Sequence, residues 1–65
     1  MYWEVSSSRG TEVVEAATKD EVIEYITRTH QEAFGSLDRY KVKVITADKV
    51  NEYKPFIPIQ NGYRQ

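Results

Sequence analysis

The chain contains no cysteine, which excludes disulfides, thiolate metal sites and cysteine nucleophiles. Its single histidine, His30, is too little imidazole for a zinc site, so neither a metal nor a cofactor is expected. Glycine is scarce. Gly10, Gly35 and Gly62 are each explained by a turn or a helix end, and no glycine-rich phosphate loop is present. The two prolines, Pro55 and Pro58, cannot donate to a strand ladder and confine their segment to a sheet edge. No apolar run reaches the length of a signal peptide or a membrane span, so a cytoplasmic protein without membrane contact is expected.

What remains is a foldable composition. With 40% hydrophobic and 29% charged residues, the chain is not disordered by composition. Its 65 residues allow one domain, 1–65, which at this size buries only about 60% of its unfolded surface and leaves no room for a deep catalytic cleft. A monomer or small homo-oligomer that acts through its surface is expected. Residues 1–38 hold eight acids against three basic residues, net −5, and residues 39–65 hold six basic residues against two acids, net +4. Such asymmetry creates an interaction face only if the halves stay apart in space, and in a mixed sheet they interleave more often.

The stretch from Thr18 to Gly35 organises the rest. Thr18 and Glu21 have capping-box spacing, Asp20 and Glu21 place negative charge at the positive end of the helix dipole, and Gly35 follows the last apolar residue. At 100° per residue, Val22, Ile23, Ile26, Ala33 and Phe34 form one stripe, with Glu21, Glu24, Arg28, Gln31 and Glu32 opposite. His30 falls within the apolar stripe. As a general base it would require a nucleophile or an orienting carboxylate, and the sequence offers no obvious one. It reads as an amphipathic ring packed at the sheet edge, with one nitrogen on a backbone carbonyl. An enzyme is not expected.

Strands flank this helix. Tyr2 to Ser6 alternates with Trp3 and Val5 inward, Ser7-Ser8-Arg9-Gly10 is a turn, and Thr11 to Ala17 returns with Val14 and Ala16 inward, although Val13 competes for the same role. Tyr40 to Thr46 places Tyr40, Val42 and Val44 on one side and Lys41, Lys43 and Ile45 on the other. Ala47-Asp48-Lys49 reads as a turn or bulge. Asn61-Gly62 signals a hairpin, returning Tyr63-Arg64-Gln65 onto Ile57 to Gln60. The predicted class is α+β: a mainly antiparallel four- or five-stranded sheet with one helix on one face, in the order β-β-α-β-β with a possible fifth strand.

In that arrangement the second face of the sheet is uncovered and carries Lys41 and Lys43. The residues expected to meet a partner are Arg39, Lys41, Lys43, Tyr53, Lys54 and Phe56, combining cations with aromatic anchors. Basic and aromatic residues on a sheet also suit a single-strand nucleic-acid-binding module, the second choice. Pairing through the terminal edge strand, as an assembly accessory protein, is a third.

Two resemblances sharpen the first choice. Gly10-Thr11-Glu12-Val13-Val14-Glu15-Ala16, followed by a capped helix, a basic strand and Asn61-Gly62-Tyr63-Arg64, resembles short type I anti-CRISPR proteins of β-β-α-β-β order. Ile45-Thr46-Ala47-Asp48 through Glu52-Tyr53-Lys54-Pro55-Phe56 is similar to the L-T-S-D…E-Y-K-P-W run of the phage uracil-DNA glycosylase inhibitor. Both imply a small phage or mobile-element protein, acting in the cytoplasm of a bacterial host, that disables a host defence complex by binding it. The first implies a CRISPR Cascade effector as partner, with DNA binding or nuclease recruitment blocked. The second implies a DNA-repair glycosylase.

Overall fold

The computed structural model describes residues 1–30 and 39–64. β1 (Tyr2–Ser7) and β2 (Gly10–Glu15) form an antiparallel hairpin in which Ser7 faces Gly10, so Ser8 and Arg9 alone make the turn. Gly10 leaves it at φ +124°, a conformation open to glycine and strained for side chains with a β-carbon. α1 (Lys19–His30) follows. β3 (Lys41–Ile45) then pairs antiparallel with the other edge of β1. A second helix, α2 (Ala47–Tyr53), leads to β4 (Ile59–Asn61), which lies parallel to β2. The sheet order is β3-β1-β2-β4.

The element order is thus β-β-α-β-α-β and the sheet is mixed, which corrects the expectation of one helix and a terminal hairpin. The segment expected to be a bulge starts a helix because Thr46 is an N-cap: its hydroxyl accepts the Lys49 N–H at 3.2 Å. The helix ends where Pro55 would lack the N–H to continue it. Asn61-Gly62 makes no positive-φ turn; Gly10 is the glycine with positive φ among the described residues. Gly62 instead runs against β2, its N–H donating to the Glu15 carbonyl at 2.8 Å. A β-carbon built there would lie 2.5 Å from Val14 Cγ1, so glycine is needed for close approach. Tyr63 and Arg64 form no strand, and Gln65 lies outside the described residues.

The two crossovers explain the layers. β2 to β3 passes over β1 in one direction through α1, and β3 to β4 returns across the sheet through α2. Connections of one hand that travel in opposite directions leave their helices on opposite faces. Burial follows this geometry. On one face Trp3, Val5, Val14 and Ala16 pack with Val22, Tyr25 and Ile26 of α1, with Tyr40 and Val42 half-buried at the margin. The Trp3 indole N–H donates to the Ala16 carbonyl at 3.1 Å, fixing the largest side chain of that core. On the other face Val13 and Val50 are buried, outside that cluster. The Tyr53 hydroxyl donates to Glu4, which stands opposite Val13 on one side and Lys43 on the other. The competition between Val13 and Val14 is therefore resolved by burying both, and the sheet face expected to be open lies under α2.

α1 itself begins as its spacing indicates. The Glu21 N–H donates to Thr18 Oγ1 at 3.3 Å, and Glu21 Oε1 reaches back to the Ala17 N–H at 2.8 Å. Val22 and Ile26 are buried and Ile23 is half-buried; Ala33, Phe34 and the Gly35 cap lie outside the described residues. Glu21, assigned to the solvated side, is buried instead, because its carboxylate is consumed by backbone donors.

Candidate functional site

The turn end of the β1–β2 hairpin carries a small cleft lined by Ser7, Ser8, Arg9, Arg39 and Tyr40. Its cavity of about 10 Å³ admits one water or one ligand oxygen. The turn forms one wall, stiffened by the Arg9 N–H donating to Ser7 Oγ at 3.2 Å. Tyr40 forms the other. Its ring rests against the His30 ring, centroids 5.6 Å apart and tilted by 52°. His30 Nε2 lies 2.8 Å from Glu12 Oε2, and the Tyr25 hydroxyl donates to Glu12 Oε1 at 3.2 Å. His30 therefore faces a carboxylate, not the backbone carbonyl expected for it. Glu12 stands on the α1 side of the sheet, opposite Val5, where two partners occupy its two oxygens. Burial, then the Glu12 charge, pushes the Tyr25 phenol above its ordinary value. The cluster ties the C-terminal turn of α1 to β2 and buttresses Tyr40.

The six residues expected to meet a partner are not gathered on one surface. Arg39 belongs to the cleft. Lys41 and Lys43 are exposed on the edge strand β3, where lysines also discourage strand-to-strand aggregation. Lys43 and Tyr53 are brought together by Glu4: Lys43 Nζ is 3.5 Å from Glu4 Oε1, and the Tyr53 hydroxyl bonds Oε2. This bond to an anionic acceptor raises the Tyr53 pKa. Lys54 caps α2. Phe56, in the turn that follows, is 85% exposed, although its backbone is held by the Phe56 and Ile57 N–H groups, both donating to the Tyr53 carbonyl at 2.8 Å.

Part of the sequence-wide charge asymmetry is spent internally. Besides Glu4 and Lys43, Arg64 grips the start of α1 by a forked contact to Glu24, Nε at 2.7 Å and Nη2 at 3.1 Å, while its backbone N–H donates to Glu21 Oε2 at 2.8 Å. The Arg64 and Ala17 N–H groups lower the Glu21 pKa from 4.5, and the Arg64 side chain does the same for Glu24. A carboxylate whose pKa is depressed on folding stabilises the fold above its unfolded pKa, and that stabilisation is lost as pH falls through the folded value. Glu21→Gln should therefore melt lower than the parent at pH 7, and the gap should close progressively below about pH 4.5. Thermal melts of both proteins at pH 7 and pH 3 measure this; a gap of equal size at both pH values would show that the ionised form contributes nothing.

The sequence pointed to neither the Glu12–His30 contact, spanning 18 positions, nor the convergence of Arg9 with Arg39. Both depend on the strand register and on where α1 ends. The one usable signal was Glu12 itself, an acid at a position whose strand neighbours on the same face, Val14 and Ala16, point into the core. Among the described residues no three metal-ligating side chains come together, and no helix is long and apolar enough to cross a membrane. No protein-family model, no curated protein and no solved structure matches this chain.

Proposed function

We propose that this chain is a non-catalytic binding protein that disables a larger host complex by occupying its surface, in the most specific form a type I Cascade effector. Phe56 carries this proposal. A phenylalanine 85% exposed yet fixed between two prolines on a hydrogen-bonded turn is an anchor ordered before its partner arrives, which lowers the entropy cost of docking. Aromatic side chains of this kind supply a large share of interface energy. Lys54 beside it, and Lys41 on the β3 edge, add positive charge suited to an acidic or RNA-lined surface. With the sheet face under α2, docking falls to the Lys54–Pro58 turn and the β3 edge. The Cascade target rests on the resemblance in the hairpin and helix, even though α2 departs from the element order on which that resemblance drew.

The test is target-DNA binding and nuclease recruitment by a purified type I effector, with and without the protein. The parent should suppress one of the two, and Phe56→Asp, a change at an exposed site, should weaken suppression about thirtyfold, the effect of losing a hot-spot side chain. An effector indifferent to a large excess of the parent would remove Cascade as the target. Suppression unchanged by Phe56→Asp would remove the turn as the docking site.

A further inference from the structure

We infer that the outer edge of β3 is a binding site for an extended acidic peptide, which joins the sheet as a further strand antiparallel to β3. In the order β3-β1-β2-β4, β3 ends the sheet and pairs with β1 on one side alone among the described residues. The ladder fixes which of its backbone groups point outward. The Ala16 N–H donates to the Met1 carbonyl at 3.0 Å, so by alternation Met1, Trp3 and Val5 turn their backbone groups to β2, and Tyr2, Glu4 and Ser6 turn theirs to β3. The residues opposite these last three, Ile45, Lys43 and Lys41, bond inward. Val42 and Val44 therefore aim their N–H and C=O groups away from the sheet, where no described residue bonds them. Such a row of open groups is a template for an added strand, and antiparallel pairing is the more stable kind.

The side chains select the occupant. Lys41 and Lys43 are exposed on one face of β3. Lys43 holds Glu4 at 3.5 Å on its inner side, yet its side chain is 68% exposed, and an ammonium has three donors. Val44 stands on the opposite face, next to Trp3, and is 52% exposed, where an added strand would cover it. The strand that fits carries acids opposite Lys41 and Lys43 and apolar residues opposite Val42 and Val44. A second copy of this chain fits worse. Outward groups must meet outward groups, so two β3 strands pair antiparallel only with Val42 opposite Val42, Val42 opposite Val44, or Val44 opposite Val44. The first sets Lys41 against Lys43 and the second sets Lys43 against its own copy, and like charges directly opposite are destabilising. The third joins only residues 43–45, because α2 begins at Ala47. The inhibitor proposal drew on the charge of this edge, but strand addition needs neither Cascade nor Phe56, so either reading can fail alone.

The probe is the peptide acetyl-Thr-Val-Glu-Val-Glu-Thr-amide, titrated into the 15N-labelled full chain. Saturable amide shifts centred on β3 are expected, and the Val42 and Val44 amides should exchange their hydrogens about tenfold more slowly once the peptide is bound, the worth of a ladder hydrogen bond. The same peptide N-methylated at both valines keeps its charge but loses the donors that face β3, and should bind about tenfold more weakly or worse. Val44→Pro makes the matching change in the protein, since it removes an outward N–H and leaves the β1 ladder intact; the N-methylated peptide carries the test if that variant does not fold. Lys41→Glu, at an exposed site, should weaken binding about fivefold, the worth of one exposed charge pair, and should favour the peptide with lysine in place of glutamate. Equal binding of the plain and N-methylated peptides would mean charge attraction without strand addition and would overturn the assignment. Absence of saturable shifts in β3 would do the same. So would Val42 and Val44 amides already protected in a chain that sediments as a dimer, which would give the edge to a second copy.

Discussion

A chain carrying Val13→Asp should not fold at neutral pH. Val13 is fully buried in the sheet face that α2 covers, with Glu4 opposite it on β1 and Ile59 opposite it on β4. A carboxylate at that position would lose its hydration, and Lys43, on the far side of Glu4, is already paired with Glu4. The cross-strand neighbour of the new aspartate is another carboxylate, so repulsion adds to desolvation. The penalty is several kcal/mol, against a total stability of about 3–10 kcal/mol for a domain of this length. Loss of amide dispersion and of the cooperative thermal transition would report the result. Val44→Asp is the control, since Val44 lies on an edge strand and is 52% exposed; it should fold with a loss of no more than about 1 kcal/mol. The comparison also tests the architecture. On a sheet with a helix on one face only, Val13 would point to water and its replacement by aspartate would be tolerated.

That contrast marks where the sequence was legible. β1, the hairpin and the start of α1 follow from local rules whose partners lie within a few residues: alternation from Tyr2 to Ser6, turn residues over Ser7-Ser8-Arg9-Gly10, and Thr18 with Glu21. α2 uses the same Thr-x-x cap, in Thr46 and Lys49, but its two turns carry only Val50 and Tyr53 as an inward stripe. That is too short for a helical period to stand out from strand alternation. Without α2 the second sheet face would stand bare, which is why the sequence alone points to Lys41 and Lys43. Gly62 misled for a related reason. An Asn-Gly pair tolerates a tight turn, but a glycine also permits close packing, and only the position of Val14 decides between them. The pairings that shape the cleft, Glu12 with His30 and Arg9 with Arg39, link segments whose distance depends on the finished sheet, so no local pattern announces them.

Ile26→Ala should be the costliest truncation on the α1 face, about 2–5 kcal/mol, enough to remove most of the stability of a domain this small. Ile26 is fully buried and is among the largest side chains that are, packed with Trp3, Val5, Val14, Val22 and Tyr25. Alanine favours the helix by a few tenths of a kcal/mol over isoleucine, so the cavity dominates. How much of the cavity term survives depends on whether neighbours can move into the space. The two largest side chains of this cluster are both tethered, Trp3 by its indole to the Ala16 carbonyl and Tyr25 by its hydroxyl to Glu12. Filling the hole would break one of these bonds, so collapse is opposed and the loss should fall in the upper half of the range. Urea unfolding measures it: the midpoint should drop with the slope unchanged, because the surface exposed on unfolding is nearly the same. Ile26→Val, which removes one methyl group, should cost only about 0.5–1.5 kcal/mol. Equal losses for the two variants would mean that the tethered aromatics yield after all, and that the core on this face is held by its area rather than by the fixed positions of Trp3 and Tyr25.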